Sequence, residues 1–294
     1  MKTNQASSTA KVIAASTILL ASDARTAALV APGAAQLCKK LLSADPMDRL
    51  LAMSAEQPFM RALWRIAERL TLPGIMAHYW HRKHWIENRC RHAIAEGFKR
   101  LIVLGAGFDT LGYRLSREFS ELDVIEVDHP ATQGAKQRAL AGDEASQMSR
   151  LHYLALDLNS DPLPLQLFDN SCDTVIVIEA VLIYLPEAQV NRLFAALSGL
   201  AAKRVRILFS FITKWPDGRT GFRPYSWLVE RWLAWRNESF AWALAPSEAE
   251  AFLAKRHFKL LELTLTNQIR NQHGLEFPSR SILEGENLIL CERI

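Results

Sequence analysis

Glycine and carboxylate residues recur where short apolar runs of the chain end. The first of these runs ends at Leu104 and is followed by Gly105-Ala106-Gly107. Glycine at this position lets the backbone turn sharply and approach a ligand closely, and the N-terminus of the next helix would offer free backbone N–H donors. A plain tight turn also uses glycine, so this motif alone is weak evidence for a binding site.

Two acidic residues lie at the end of the second apolar run. Glu126 and Asp128 follow the glycines by roughly 20 residues, where nucleotide-binding sheets place an acid that accepts hydrogen bonds from ribose hydroxyls. Because side chains of a strand alternate between faces, the two carboxylates point the same way. Either one is a candidate ribose ligand, and the alternative is an ordinary solvated strand end.

The third and fourth runs end in the same manner. Asp157-Leu158 follows the third run, and Glu179 follows the fourth. Open α/β sheets bind their ligands at the carboxyl ends of parallel strands, so four successive ends with glycine or carboxylate predict one shared site. A dinucleotide-dependent oxidoreductase is a rival, but its G-x-G-x-x-G fingerprint is broken because Thr110 stands at the last position.

The elements that must position these residues follow an α/β pattern. Residues 1–98 have helical periodicity, which predicts a helical N-terminal cap, and residues 99–294 alternate short apolar runs with helical stretches. The last two runs are joined by a turn-rich stretch without an obvious helix, which predicts an antiparallel pair. The predicted strands are Arg100–Leu104, Asp123–Val127, Leu151–Ala155, Thr174–Ile178, Arg206–Phe211, Lys259–Thr266 and Asn287–Glu292.

A tryptophan-rich insertion lies between the fifth and sixth predicted strands. It covers about residues 213–245, is too long for a simple crossover, and predicts a helical lid over the site. Its tryptophans either form the core of the insertion or line an apolar acceptor pocket. The candidates for the pocket are Trp227, Trp232 and Trp242.

Composition narrows the class of protein. The net charge of +4 is weak for 294 residues, so neither nucleic acid nor an anionic membrane is expected as a partner. The four scattered cysteines suggest neither a disulfide framework nor a metal site. No apolar stretch reaches the ~18 residues of a membrane span, and we expect a cytoplasmic protein.

The strand-end motifs together resemble the leucine carboxyl methyltransferase family. They are LIVLGAGFDTLGYRL from Leu101, VIEVDHP from Val124 followed by Lys136, Asp157-Leu158, and EAVLIYL from Glu179. The resemblance extends over about residues 80–260, and the first 70 residues match poorly. It implies a doubly wound, Rossmann-like seven-stranded sheet of order 3-2-1-4-5-7-6 with an antiparallel seventh strand. It also implies S-adenosylmethionine as the cofactor, with S-adenosylhomocysteine as the product.

The resemblance implies roles for individual residues. Gly105, Ala106 and Gly107 would line the amino-acid part of the cofactor, and Asp128 would bind the ribose hydroxyls. Asp157 and Leu158 would flank the adenine, and Glu179 would face the methionine ammonium group. Arg82 would pair with the methionine carboxylate, as the guanidinium fork suits a carboxylate. Arg25 is a second candidate for that contact.

These features predict a methyltransferase that acts on an oxygen of a small molecule. Tyr184, just after the fourth strand, is the candidate catalytic residue. His78, His81 and His84 are further candidate bases, and a carboxylate acceptor would need none because it is ionised at neutral pH. The alternatives are methylation of a protein carboxylate or of RNA, or cofactor binding without catalysis. The acceptor and the oligomeric state are not specified by the sequence.

Overall fold

The computed structural model describes residues 6–142, 150–165, 172–236, 238–272 and 283–294. Its N-terminal part is helical, as predicted. The breaks near Pro32, Asp45 and Pro73 separate helices, and Asp45 caps one of them by accepting hydrogen bonds from two backbone N–H groups. These helices are α1 (Ser8–Ala21), α2 (Ala34–Leu42), α3 (Pro46–Glu56), α4 (Pro58–Thr71) and α5 (Ile75–Ala95).

The rest of the described chain builds a seven-stranded sheet of order β3-β2-β1-β4-β5-β7-β6. Its first five strands are parallel, and β7 runs antiparallel to both β5 and β6. The predicted doubly wound α/β fold and its antiparallel final strand are therefore confirmed. The strands are β1 (Arg100–Leu104), β2 (Asp123–Asp128), β3 (Leu151–Ala155), β4 (Thr174–Ile178), β5 (Val205–Ile212), β6 (Phe258–Thr264) and β7 (Glu286–Arg293).

Helices cover both faces of the sheet. One apolar cluster joins the N-terminal helices to one face, and the other joins the opposite face to the helices of the second half of the chain. Strands β1 and β4 are buried at every residue, which explains their continuous apolar sequences. The helices after β1 are α6 (Leu111–Glu118), α7 (Pro130–Leu140), α8 (Glu187–Ser198), α9 (Trp227–Arg236), α10 (Ala249–Ala254) and α11 (Thr266–Gln272).

Two regions differ from the sequence-based expectation. Helix α11 follows β6, where the sequence indicated no helix, because its polar sequence carries little apolar periodicity. The insertion of residues 213–245 holds the helix α9, but isolated bridges such as Thr213 with Leu244 tie the rest of it to the sheet edge. Among the described helices, none is long and apolar enough to cross a membrane.

Candidate active site

A cavity of about 580 Å³ opens at the carboxyl ends of the parallel strands. Most of the site residues that the sequence predicts line it, on the side of the sheet except for Arg82, which belongs to α5. The opposite side is formed by α1, the segment 29–34 and the middle of α5. The predicted residues in the wall are Arg82, Gly105, Ala106, Gly107, Asp128, Asp157, Leu158, Glu179 and Tyr184.

The glycine loop holds its shape through one steric and one polar contact. Gly105 has a φ of +70°, and a Cβ there would lie 2.1 Å from Cγ2 of Val181, so a side chain at this position is excluded. The backbone N–H of Gly107 donates to Oδ2 of Asp128 at 2.6 Å. The loop after β1 is thereby locked to the end of β2.

The structure distinguishes the two acids of β2. Asp128 lines the cavity, whereas Glu126 is absent from its wall and pairs with Lys136 at 2.5 Å. Both members of that pair are 1% exposed, and Oε1 of Glu126 lies where a Cβ of Gly112 would be. Burial raises the pKa of both acids, and the Gly107 hydrogen bond opposes the rise at Asp128. Asp128 is therefore the acid that a ligand in the cavity can reach.

A carboxylate of the protein caps the helix that follows the glycine loop. Oδ1 of Asp109 accepts hydrogen bonds from the backbone N–H groups of Thr110 and Leu111, and Oδ2 pairs with Lys83 at 2.8 Å. Burial alone would raise the pKa of Asp109, but the charge of Lys83 keeps it well below its usual range. Two of the N–H groups that were expected to be free donors at the start of this helix are therefore already bound to a carboxylate of the protein.

The end of β3 contributes a turn at the cavity rim. Oδ1 of Asp157 accepts a hydrogen bond from the backbone N–H of Asn159 at 2.9 Å, and the backbone N–H of Asp157 donates to Asp161. This local turn presents Asp157 and the half-buried Leu158 at one side of the wall.

A buried charge cluster lies beneath the cavity, centred on Arg82. Nε of Arg82 donates to Oε1 of Glu179 at 2.9 Å, and Nη1 donates to Oε2 of Glu286 at 2.6 Å. His78 also contacts Glu286, at 2.7 Å, and Lys83 lies 3.3 Å from Glu179. Nη2 of Arg82 is buried and has no hydrogen-bond partner among the described residues. An anion is the natural partner for this remaining donor.

Sequence reasoning missed Glu286, Lys83 and Asp109. Glu286 begins β7, and since β7 is antiparallel its first residue lies at the edge where the parallel strands end, opposite Ile212 of β5. The predicted antiparallel seventh strand is the signal that could have identified it. Lys83 and Asp109 lie next to predicted residues, and their pairing depends on how α5 packs.

Tyr184, five residues after Glu179, lines the cavity. Burial raises the pKa of its phenol, and the nearby charge of Glu238 raises it further. The phenol is therefore neutral at physiological pH and suited to donate a hydrogen bond. Burial likewise raises the pKa of Cys38, another wall residue, to about 12, so that thiol is not a thiolate nucleophile.

The three candidate histidines have different surroundings. His84 lines the cavity, burial lowers its pKa, and its Nε2 lies 3.0 Å from Nδ2 of Asn88. His78 belongs to the buried cluster with Glu286, and His81 is buried without lining the cavity.

Other candidate residues lie away from the cavity. Trp242 is buried in the apolar cluster on the other face, 5.3 Å from the ring of Phe252. Trp227 is 60% exposed and Trp232 is 37% exposed, and the cavity wall includes none of the three tryptophans. Arg25 pairs with Asp23 at the surface. No group of three or more metal-binding side chains occurs in the described part of the chain.

The insertion reaches the cavity in two ways, through the ring of Phe240, which lies 6.2 Å from that of the wall residue Tyr184, and through α1. Glu238 accepts hydrogen bonds from the backbone N–H groups of Ser8 and Thr9 and from the hydroxyls of Ser7 and Thr9. These contacts cap the start of α1. Nε of Arg236 donates to Oγ of Ser8 at 2.5 Å. Ala10 in the first turns of α1 would lie 3.2 Å from a Cβ of Gly107. The insertion therefore holds α1 against the glycine loop.

Comparison with known sequences decides the family. The family model described as leucine carboxyl methyltransferase matches residues 17–198, which is more than half of the chain. The chain belongs to this family. The match includes the glycine loop, both β2 acids, Asp157, Glu179 and Arg82, and it begins within α1, so this leucine carboxyl methyltransferase family member has its cavity built largely from the matched region.

Curated relatives of this family member align over part of their length. A Mycobacterium tuberculosis protein named "Putative S-adenosyl-L-methionine-dependent methyltransferase" is 31% identical over 129 residues, which are 43% of this chain and 42% of the relative. A Mycobacterium bovis protein of the same name is 36% identical over 118 residues, 39% of this chain and 34% of the relative. The aligned region thus spans about two fifths or less of these relatives.

Solved structures of low identity share the fold. A Thermobifida fusca protein described as "a putative methyltransferase" superposes with a TM-score of 0.58 at 17% identity, covering 87% of this chain and 93% of that protein. A DUF574 family protein of Streptomyces avermitilis gives 0.58 at 16% identity, covering 88% and 96%. At these identities the similarity concerns the fold.

Proposed function

We propose that this family member is an S-adenosylmethionine-dependent methyltransferase that acts on an oxygen of a small molecule. The observation that carries the proposal is the convergence, on one cavity, of the glycine loop, Asp128, Asp157 and Arg82 with its unpaired buried Nη2. Family membership and the names of the relatives support the same cofactor.

The residues present fit the chemical parts of S-adenosylmethionine. Asp128 is a buried acceptor for ribose hydroxyls, and Asp157 and Leu158 supply a polar and an apolar contact for adenine. Nη2 of Arg82 would gain a partner from the methionine carboxylate, and Glu179 is the acid suited to the ammonium group.

Asp109 argues against the dinucleotide alternative. A dinucleotide places its pyrophosphate at the helix N-terminus after the first strand. Here the carboxylate of Asp109 already accepts the N–H groups of Thr110 and Leu111, so these two donors are not available to a phosphate. A cofactor without phosphate groups avoids this conflict.

The bound cofactor supplies an activated methyl group on its sulfonium. The protein then has to align an acceptor, exclude water and manage any proton. The wall formed by α1 and residues 29–34 covers the cavity, which favours a small acceptor over a folded macromolecule. The Tyr184 phenol and the Cys38 thiol of the wall are neutral and do not serve as bases, which fits an acceptor that is already ionised, such as a carboxylate. Tyr184→Phe should then lower kcat and leave cofactor affinity unchanged.

Calorimetric titration tests the cofactor assignment. Wild-type protein should bind S-adenosylmethionine and S-adenosylhomocysteine, and Asp128→Ala and Asp157→Ala should each weaken binding by about tenfold or more, because each removes a hydrogen-bond acceptor. Glu121→Ala is the control, since Glu121 is an exposed carboxylate that pairs with Arg150 at the surface. Absence of binding to the wild type would reject the proposal.

A further inference from the structure

The hairpin of α3 and α4 turns a row of large apolar side chains toward solvent. In α3 the row repeats every three residues, and in α4 it repeats at helical spacing of four, three and four. These side chains are between 43% and 75% exposed. They are Met47, Leu50, Met53, Phe59, Leu63, Ile66 and Leu70.

Several polar side chains of the hairpin contact the rest of the protein instead, whereas Arg49 and Arg69 are exposed. Arg61 donates to the backbone carbonyl of Ser22, and Arg65 pairs with Asp23 at the end of α1. Nε1 of Trp64 donates to Oγ of Ser54 at 3.1 Å, which joins α4 to α3. This arrangement fixes the orientation of α4, so that its apolar face cannot turn to the body of the protein without breaking these contacts.

The exposed apolar area matches what a dimer interface requires. At about 200 Å² for each large apolar side chain, the seven exposed fractions amount to roughly 800 Å². A standard protein interface buries about 800 Å² per partner, and the largest apolar patch of a typical monomer covers only about 300–600 Å². The hairpin alone therefore presents enough area for stable association.

The order of large and small residues in α4 is self-complementary. Apart from Pro58 at its start, the exposed apolar residues of α4 are, in chain order, Phe59, Ala62, Leu63, Ile66, Ala67 and Leu70, and the one exposed charged residue of this helix is Arg69. Read in either direction, the pattern is large, small, large, large, small, large. A two-fold axis at the middle of α4 would set each alanine against the other alanine of the second helix, and each large residue against a large one. A two-fold interface needs a surface that is complementary to itself in this way.

We propose that this hairpin face binds a second copy of the chain, with the two α4 helices antiparallel and α3 flanking them, as a four-helix bundle. Like other such bundles, it would bury apolar rows of four helices between them. Because α3 packs on α1, which lines the cavity, the dimer would also support the cavity wall from outside. This inference does not depend on the proposed methyl transfer.

Sedimentation velocity on the full chain tests the oligomeric state. From about 1 to about 100 µM, wild-type protein should sediment as a dimer, and Leu63→Glu or Ile66→Glu should raise the dimer dissociation constant by about 30-fold or more. Leu261→Glu is the control, because Leu261 is 45% exposed on β6 and lies outside the hairpin. Unchanged circular dichroism and thermal midpoints would show that the variants remain folded.

Disulfide pairing tests the antiparallel arrangement. In a Cys172→Ser background, a mixture of Ala62→Cys and Ala67→Cys proteins should form a cross-linked dimer under mild oxidation, and each protein alone should form much less. A monomeric wild type at about 100 µM overturns the proposal, as does a dimer that both glutamate variants retain. A monomer that instead co-sediments with phosphatidylcholine and phosphatidylglycerol vesicles would assign the face to a lipid surface and overturn the dimer.

Discussion

Arg82 is the residue on which the candidate site depends most. It is 2% exposed, and its charge is balanced by Glu179 on the cavity side and Glu286 below. Burial alone would lower the pKa of Arg82, but the two carboxylates raise it, so the side chain stays charged. The guanidinium group has enough donors to join both acids and still leave Nη2 for a ligand.

The Arg82→Lys variant should show the effect of losing the ligand contact while the positive charge at this position is kept. Arg82→Lys keeps a positive charge near Glu286 but removes the N–H donor at Nη2. The affinity for S-adenosylmethionine should therefore fall by about 10- to 100-fold. Calorimetry measures this change. Arg89→Lys is the matched control, because Arg89 lies on the same helix and pairs with Glu262. Equal affinity in Arg82→Lys and wild type would contradict the role given to Nη2.

Glu286 should make stability depend on acid pH. Burial alone would raise its pKa, but the charge of Arg82 and the hydrogen bond with His78 lower it from 4.5 to about 2. A carboxylate with a depressed pKa stabilises the fold fully above about pH 4.5, and the contribution is lost as the pH falls toward 2. At about 1.4 kcal/mol per pH unit, the contribution at neutral pH is about 3 kcal/mol.

Denaturant unfolding between pH 7 and pH 2.5 measures this contribution. Glu286→Gln should be less stable than wild type at pH 7, and its free energy of unfolding should fall less steeply below pH 4.5, since this side chain no longer titrates. Glu121→Gln, at the surface, should keep the wild-type slope. A Glu286→Gln variant with the wild-type slope would show that Glu286 does not titrate as described.

A site residue could be identified from the sequence when its position follows from a strand that the sequence predicts. The glycine loop, Asp128, Asp157 and Glu179 follow strands directly, so locating the strands located these residues. Nothing in the local sequence distinguishes Glu126 from Asp128, and only the packing of Lys136 makes one of them a core residue. Arg82 came from the family resemblance, because its partners lie about 100 and 200 residues away.

The start of helix α1 is held by its own N-cap residue, Ser7, and by a distant side chain, Glu238. Glu238 accepts hydrogen bonds from Ser8 and Thr9, and its carboxylate suits the positive end of the helix dipole. The cap is worth on the order of 1–2 kcal/mol. The insertion and the N-terminal helices thus stabilise each other.

Removal of this cap should loosen α1. In Glu238→Ala, backbone amides of α1 should exchange hydrogen for deuterium about tenfold faster, because about 1.4 kcal/mol changes an opening equilibrium tenfold. Mass spectrometry of peptides from residues 6–21 measures the exchange. Glu230→Ala is the control within the same insertion, because Glu230 is exposed and contacts Tyr225 rather than α1. Equal exchange in both variants would contradict the capping role.

At the level of elements, the sequence predicted those whose apolar residues follow a clear pattern. The strands were placed to within two residues, because buried parallel strands are continuous apolar runs. Helix α11 was missed, since a short polar helix carries no such signal. For the tryptophans of the insertion the sequence left two roles open, the core of the insertion or the acceptor pocket. In the structure Trp227 and Trp232 are partly exposed and Trp242 joins the apolar cluster on the far face of the sheet.

For the whole molecule, the sheet order sets the site and the N-terminal helices complete it. The order β3-β2-β1-β4 brings four strand ends into one row, and the antiparallel β7 adds Glu286 beside them. The cavity wall opposite the sheet comes from the N-terminal region. The motifs of the sequence do not extend into its first 70 residues, but the family model matches from residue 17 onward, so the expected poor match holds only for the start of the chain. The cofactor side was therefore predictable, and the acceptor side was not.

A crystal structure of the full chain with S-adenosylhomocysteine tests the central claim most directly. The account predicts the ribose hydroxyls at Asp128, the adenine beside Asp157 and Leu158, and the amino-acid carboxylate within hydrogen-bond distance of Nη2 of Arg82. Electron density for the ligand outside this cavity, or a ribose bound without Asp128, would contradict it.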